Sequence, residues 1–434
     1  MLQRKIDRLL LDWKNQSSKK SLIVDGARQV GKTFAIKRFG EAYYDELFYV
    51  NFKETPSAVE NFTGDLDVDT LIFNFKLQKR KAKLVAGKTL IVLDEIQECE
   101  QAITSLKFWT IDGRYDVIAS GSMLGIDYNR ASSYPVGYVE NIKMFGLDFE
   151  EFLWSQGIDE TMISKVRGYF DDRKEVPDAI HNKFMSMFRL YTAIGGMPEV
   201  VWSFVQSNDM AKVDKIQREL LNGYLFDIAH YASAEEKIKA EKCYTSLAKQ
   251  LLGKENPKFQ YKEVEKGGRA QKFFSSLEWL IRANIIFMSY AVTDIRYDLT
   301  DYSSDTIFRV YTSDVSFLIA MRDYAIKKEI IQNSFTGNTK GGIYECVAAD
   351  ILAKKGYKLF FYRNETTKRE LDFLIQKDGC IVPIEIKSGN TKAKSLNSII
   401  EKSTDISIGY KFVDGNVGFE NNILTAPLYM IMFV

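Results

Sequence analysis

One short stretch near the start of the chain, Gly26-Ala27-Arg28-Gln29-Val30-Gly31-Lys32-Thr33, leaves little freedom in what this sequence can fold into. Ser21-Leu22-Ile23-Val24 before it reads as a short buried strand. Phe34, Ile36 and Phe39 after it fall at helical spacing. A strand, a G-x-x-x-x-G-K-T loop and a helix form the context that a phosphate-binding loop requires. The glycines let backbone N–H groups turn inward on a polyphosphate, and the helix adds the positive end of its dipole. The spacing predicts that Gly26, Ala27, Arg28, Gln29, Val30, Gly31, Lys32, Thr33 and Phe34 cradle ATP. Lys32 would reach the β- and γ-phosphates and Thr33 would ligate Mg²⁺.

Two later strands carry polar tips. Lys88 to Leu93 reads as a strand with an apolar run, Leu90 to Leu93, and ends in Asp94-Glu95. Asp94 is expected to hold the Mg²⁺ hydration shell and Glu95 to polarise the attacking water. Asp116-Val117-Ile118-Ala119 ends in Ser120-Gly121-Ser122. Ser120 or Ser122 could sense the γ-phosphate through its hydroxyl, or shape a turn. The catalytic set is then Glu95, Lys32 and Ser122, and the metal set Thr33 and Asp94.

At 434 residues the length suits two to four domains. A net charge of +1 gives no global field toward DNA or a membrane, so any nucleic-acid contact must come from a local patch. No apolar run reaches the length of a membrane span. The N-terminal MLQRKIDRLLLDWKN reads as an amphipathic helix, because charges interrupt the apolar run a signal peptide needs. Cys99, Cys243, Cys346 and Cys380 show neither zinc nor disulfide spacing, which points to core thiols in a reducing cytoplasm. His181 and His230 lie far apart, which argues against a histidine metal site or a serine triad.

Residues 147 to about 235 are helix-patterned, with a charge-rich stretch at 160–188 read as surface. From Glu241 two helical faces and a strand, Ile285 to Tyr290, follow in winged-helix order. Lys262, Lys266, Arg269, Lys272 and Arg282 around the second helix could contact DNA phosphates, or form a solvated basic face on an adaptor. The lack of a base-reading set favours the adaptor. Further on, Glu345 sits on a helix ending at Lys354. Strands follow at Glu370–Ile375 and Cys380–Ser388. Side-chain alternation puts Glu385 and Lys387 on one face, with Asp372 able to reach it from the neighbouring strand. An Asp followed by E-x-K is the divergent pattern of PD-(D/E)-x-K nucleases. There two carboxylates hold Mg²⁺ and the lysine prepares a water. A charged β-hairpin can imitate the same spacing.

GARQVGKT (26–33), LIVLDEIQ (90–97), ASGSMLG (119–125), PVGYVENIKMFGLDFEEFL (135–153) and GGMPEV (195–200) together resemble AAA+ ATPases. The resemblance is to the bacterial and archaeal group with a nuclease-like C-terminal domain. It implies an α/β fold: a P-loop parallel sheet with helices on both faces, a helical lid, a winged-helix segment and a restriction-endonuclease-like α/β domain. The corresponding boundaries are 1–146, 147–238, 239–300 and 301–434. Gly196-Met197-Pro198 looks like the turn by which related ATPases bring a lid to the nucleotide, or is a plain turn between helices. Family members often carry an arginine where this chain has Tyr138; Arg114 and Arg130 are candidate replacements for a finger acting across subunits. The implied function is Mg-ATP hydrolysis that drives or gates a conformational change, acting with nucleic acid through the C-terminal nuclease-like domain. Two alternatives stand beside it: a nucleotide-gated switch with little turnover, and an ATP-regulated, Mg²⁺-dependent DNA endonuclease built on Glu345, Asp372, Glu385 and Lys387. The expected partners are ATP, DNA, and further copies of the chain or another protein, without a membrane, in the cytoplasm.

Overall fold

Strands β1 (Ser21–Asp25) and β3 (Thr89–Asp94) are buried along almost their whole length. Such continuous apolar runs suit parallel strands covered on both faces. In the computed structural model they join β2 (Glu46–Asn51), β4 (Asp116–Gly121) and β5 (Val139–Lys143) in a parallel sheet ordered β2-β3-β4-β1-β5. The structure describes residues 1–78, 83–122, 135–231, 234–253, 258–364, 366, 369–389, 393–403 and 406–434. Alternation along the strands sends Ile23, Ile91, Leu93, Val117 and Ala119 to one face. There they meet Phe75 of α3 (Val68–Gln78) and Leu106 and Trp109 of α4 (Glu100–Asp112). Leu47 and Leu90 reach the opposite face and press on Gly40 of α2 (Lys32–Tyr43). A Cβ added at Gly40 would stand 2.6 Å from a Leu47 methyl carbon, so a side chain there would force that leucine to shift. Helix α1 (Lys5–Lys14) packs beside α2 and buries Ile6, Leu10 and Trp13. Helices thus cover both faces, as the resemblance implies.

The chain divides into two compact units, Gln3–Gly146 with Arg282–Asn284, and Met1–Leu2 with Leu147–Ile281 and Ile285–Val434. The second unit is built on a mixed sheet ordered β12-β13-β11-β10-β9-β8-β6-β7. Its strands are β6 (Ile286–Val292), β7 (Ser303–Thr312), β8 (Leu359–Arg363), β9 (Glu370–Lys377), β10 (Cys380–Ile386), β11 (Gly409–Val413), β12 (Gly418–Glu420) and β13 (Ile423–Pro427). The expected strand after residue 285 is therefore β6, but it is no separate wing. It pairs with β7 from Ile286↔Thr312 to Val292↔Ser303, and with β8 on its other side. The boundary expected at 300 cuts through this hairpin. The physical reason is a shared core: Val292 and Leu299 are buried with Phe360, Leu371, Leu374 and Ile381 of the C-terminal strands.

The charge-rich stretch at 160–188 is helical, in Glu160–Asp171 and Asp178–Ile194, and its apolar side is not surface. Phe170, Phe184, Met185 and Phe188 are all buried. The basic residues around helix Ala270–Arg282 are partly neutralised. Lys242 and Lys272 both pair with Glu265, and Lys249 pairs with Glu263. At the Gly195-Gly196 turn, the Gly196 N–H donates to both oxygens of Asp314 (3.1 and 3.0 Å), and its carbonyl accepts from the Leu147 N–H at 2.6 Å. A Cβ on Gly196 would fall 1.9 Å from the Leu147 oxygen, so the backbone approach requires glycine. Among the described residues no helix is long and apolar enough to cross a membrane. The four cysteines are free, three buried and Cys380 exposed.

Candidate functional site

Parallel strands place their C-terminal ends at one edge of a sheet, which is where open α/β sheets bind ligands. Here that edge gathers the end of β1, the Asp94-Glu95 tip of β3 and the Ser120-Gly121-Ser122 tip of β4, with β4 lying between β1 and β3. The loop after β1 opens at Gly26. A Cβ there would meet the Met144 oxygen at 2.0 Å, because the Met144 N–H bonds back to the Asp25 carbonyl (2.7 Å). Gln29 (φ 64°) and Gly31 (φ 94°) are left-handed, and α2 begins at Lys32. A left-handed non-glycine residue such as Gln29 carries a backbone cost, typical of sites that turn their amides toward a ligand. Arg4 braces this loop from behind, donating to the Val30 carbonyl (3.1 Å) and the Phe145 carbonyl (2.7 Å). Nothing in the sequence around Arg4 announces that role.

Lys32 is buried inside the loop, its Nζ donating to the carbonyls of Gly26 and Ala27 at 2.8 Å each. Burial lowers its pKa to about 8, against the opposing pull of Glu95, Asp25 and Asp94. A phosphate partner would restore the charged form. Only the protonated fraction binds without taking up a proton, so ATP affinity is expected to fall about tenfold from pH 7 to pH 9. Titration of ATP across that range in buffers of different ionisation enthalpy would show the proton uptake. A flat profile would mean that the free loop keeps Lys32 charged.

Asp94 is buried and fully engaged. Its Oδ2 accepts from the Thr33 hydroxyl (2.8 Å), the Tyr49 hydroxyl (2.7 Å) and the Asn51 amide (3.2 Å). Its Oδ1 accepts from the Ser120 hydroxyl and from the Glu95 N–H (3.1 Å). The expected metal pair, Thr33 and Asp94, is thus in direct contact across 61 residues of sequence. Tyr49 and Asn51 were not legible as site residues. Asn51 lies directly opposite Asp94 in the β2–β3 register, so the signal was a polar strand end beside a polar strand end. Burial raises the Tyr49 hydroxyl well above its usual range, with Asp94 adding to the effect, so it keeps its proton and donates it to Asp94 while accepting from the Asn51 amide at 3.1 Å. Glu95 sits at φ 53°, a left-handed glutamate whose Oε2 accepts from the Gln97 amide and, at 3.3 Å, from the Ser122 hydroxyl. Of the two serines, Ser120 is turned to Asp94 and Ser122 to Glu95. Phe34 is exposed on α2. Arg114 is held by Asp112 (2.8 Å) and Asp69 (2.7 Å), and Tyr138 contributes its carbonyl to the Thr110 hydroxyl (2.7 Å). Arg130 and the end of the ASGSMLG stretch lie outside the described residues.

In the second unit the residues singled out for a nuclease-like site do converge on one sheet face. They arrive with partners the sequence did not suggest. Glu345, on helix Gly337–Lys354, accepts from Arg309 Nη1 (2.7 Å) and from the Tyr311 hydroxyl (2.5 Å), both on β7. Asp372 Oδ1 lies 3.8 Å from Arg309 Nη1, and its Oδ2 accepts from the Ile386 N–H (2.8 Å). Glu385 Oε1 pairs with Lys387 Nζ at 2.8 Å. Burial pushes the carboxyls of Glu345 and Glu385 up, opposed by Arg309 at the first and Lys387 at the second. Among the described residues no three acidic, histidine or cysteine side chains come together as metal ligands.

Residues 18–153 match a family model described as "AAA domain". Residues 185–328 and 340–429 match two families described only as a "Domain of unknown function", DUF8612 and DUF4143. No curated protein matches the chain. Among solved structures, AMPPCP-bound DnaA from Aquifex aeolicus is similar at 11% identity and a TM-score of 0.29, over 64% of this chain and 86% of that one. The Aeropyrum pernix Orc1 protein in complex with DNA is similar at 10% and 0.27, over 77% and 93%. A DNA replication initiation factor is similar at 12% and 0.28, over 76% and 92%. Those likenesses are slight. The matched family, the parallel sheet and the loop make residues 18–153 a P-loop domain of the AAA type.

Proposed function

We propose that the P-loop AAA domain makes this chain an ATPase, which uses Mg-ATP hydrolysis to drive or gate a conformational change and acts with nucleic acid. The observation that carries the reading is the contact of Thr33 with Asp94, with Glu95 next in the chain at the same strand tip. The donor set suits a magnesium-bound triphosphate: a hydroxyl and a carboxylate are the hard oxygen ligands Mg²⁺ prefers, usually beside retained waters. Thr33 and Asp94 would hold the metal, which supplies charge neutralisation on the phosphates. Lys32 would leave the Gly26 and Ala27 carbonyls for the phosphate oxygens. The amides from Ala27 to Thr33 would line the polyphosphate, and Glu95 would orient the attacking water and accept its proton. Ser122, beside Glu95, is positioned to report the state of the terminal phosphate to that carboxylate.

The nucleic-acid part rests on the C-terminal nuclease-like domain that the sequence resemblance implies; Lys262, Lys266 and Arg269 are a local basic patch beside it in sequence, in a chain otherwise near neutrality. A second reading, a nucleotide-gated switch with little turnover, is favoured by Arg114, which is engaged by Asp112 and Asp69, and by Tyr138 standing where the resembled family often carries an arginine. Phosphate release measured with and without single- and double-stranded DNA separates the two. The ATPase reading predicts Mg²⁺-dependent turnover that disappears in Lys32→Ala and rises with one form of DNA. Tight ATP binding with negligible turnover under every condition would leave the switch. Equal turnover by wild type and Lys32→Ala would remove the ATPase.

A further inference from the structure

We propose that Arg309 is a built-in cation that closes the acidic cluster of the second unit to divalent metal, so that Glu345, Asp372, Glu385 and Lys387 form a structural ion network and not a nuclease centre. The proposal does not depend on the ATPase reading. Arg309 leaves β7 and crosses the sheet face, its guanidinium 4.4 Å from the centre of the Phe361 ring on β8. It ends among three carboxylates from two elements, at 2.7 Å from Glu345, 3.6 Å from Glu370 and 3.8 Å from Asp372. The side chain is 2% exposed.

A guanidinium keeps its proton throughout the ordinary pH range, so this charge cannot be titrated away to admit a metal. A divalent ion would need to approach the same oxygens to about 2.0–2.6 Å, inside the space the guanidinium holds, and against its charge. Several of these and the neighbouring oxygens are engaged by further partners. Asp372 Oδ2 takes the Ile386 N–H, Tyr311 shares Glu345 Oε1, Arg363 pairs with Glu370 (3.3 Å), and Lys387 covers Glu385 Oε1. Glu385 Oε2 is buried without a partner. Four carboxylates thus face three cations, which leaves little charge to attract another. The E-x-K spacing survives in this chain with its metal position filled by protein.

The test is Mn²⁺ binding to the full chain without nucleotide, read as loss of the free-ion electron paramagnetic resonance signal. Wild type and Asp372→Asn should give the same titration. Arg309→Met should take up about one further equivalent of Mn²⁺, and adding Asp372→Asn to it should remove that gain. A saturable equivalent bound by wild type and lost in Asp372→Asn would overturn the proposal. So would a folded Arg309→Met chain that binds no more Mn²⁺ than wild type. If Arg309→Met does not fold, the wild-type and Asp372→Asn comparison decides, together with plasmid nicking. Mn²⁺-dependent nicking by wild type that Asp372→Asn abolishes would contradict the closed site, and its absence is the expected result.

Discussion

Glu95→Gln is expected to lower ATP turnover by about 10²–10⁴-fold while leaving ATP affinity within a few-fold of wild type. Glutamine keeps the shape of the side chain and an oxygen for the Gln97 amide and the Ser122 hydroxyl. What it loses is the capacity to accept a proton from water. The metal pair is untouched, because Thr33 and Asp94 bond to each other and Asp94 is fixed by Tyr49, Asn51 and Ser120. The left-handed backbone at Glu95 supports this assignment. A strained non-glycine conformation persists only where the surroundings enforce it, and such residues gather at functional sites. Single-turnover phosphate release and an ATP titration on the same preparation give the two numbers. Loss of binding along with turnover would make Glu95 a structural residue. Unchanged turnover would remove it from the chemistry.

Lys354→Met is expected to destabilise the second unit by about 3–5 kcal/mol. The Lys354 ammonium is buried and touches Asp314 (2.8 Å), Asp350 (2.9 Å), the Leu147 carbonyl (3.1 Å) and the Tyr191 hydroxyl (3.2 Å). Burial has already raised the pKa of Asp350 to about 7, with Lys354 pulling the other way. Methionine fills nearly the same volume, so the cost comes from two buried carboxylates left without their cation, not from a cavity. Asp314 also accepts from the N–H groups of Gly196 and Ser316, so its displacement would reach the Gly195-Gly196 turn and the start of helix Val315–Ala320. Urea unfolding followed by far-ultraviolet circular dichroism would measure the change. Adding Asp350→Leu should recover part of the loss, since replacing both partners of a buried pair is often close to neutral. A shift below about 1 kcal/mol would show that the network is relieved by water or rearrangement.

The phosphate loop and the Asp94-Glu95 tip were legible because their information is local. Spacing within a dozen residues fixes a strand, a turn and a helix start, and physics supplies the rest. Tyr49, Asn51 and Arg4 were not legible, because each acts through contacts that only the sheet order creates. The Gly196 turn shows the same limit. Its partner Asp314 is 118 residues away, and the turn, which the sequence left open between a lid turn toward nucleotide and a plain turn between helices, is bonded to Leu147 and Asp314 of its own unit. Strand β6 was found but assigned to the wrong neighbours, since a single apolar strand does not say which sheet will complete it. Arg309 was not legible as a site residue. A lone arginine among apolar residues gives no hint that its guanidinium ends beside Glu345, Glu370 and Asp372. In that cluster the sequence supplied the carboxylates and missed the cation that decides what they do.

The account depends on a triphosphate being held by the loop at Gly26–Thr33 with its metal between Thr33 and Asp94. Calorimetric titration of ATP into wild type and Lys32→Ala, each in Mg²⁺ and in chelator, tests this most directly. The account predicts one ATP per wild-type chain, bound more tightly with Mg²⁺, and a loss of affinity of about 100-fold or more in Lys32→Ala, the scale of a lost charge-assisted contact. Equal affinity in the two proteins, or no binding by wild type, would contradict it.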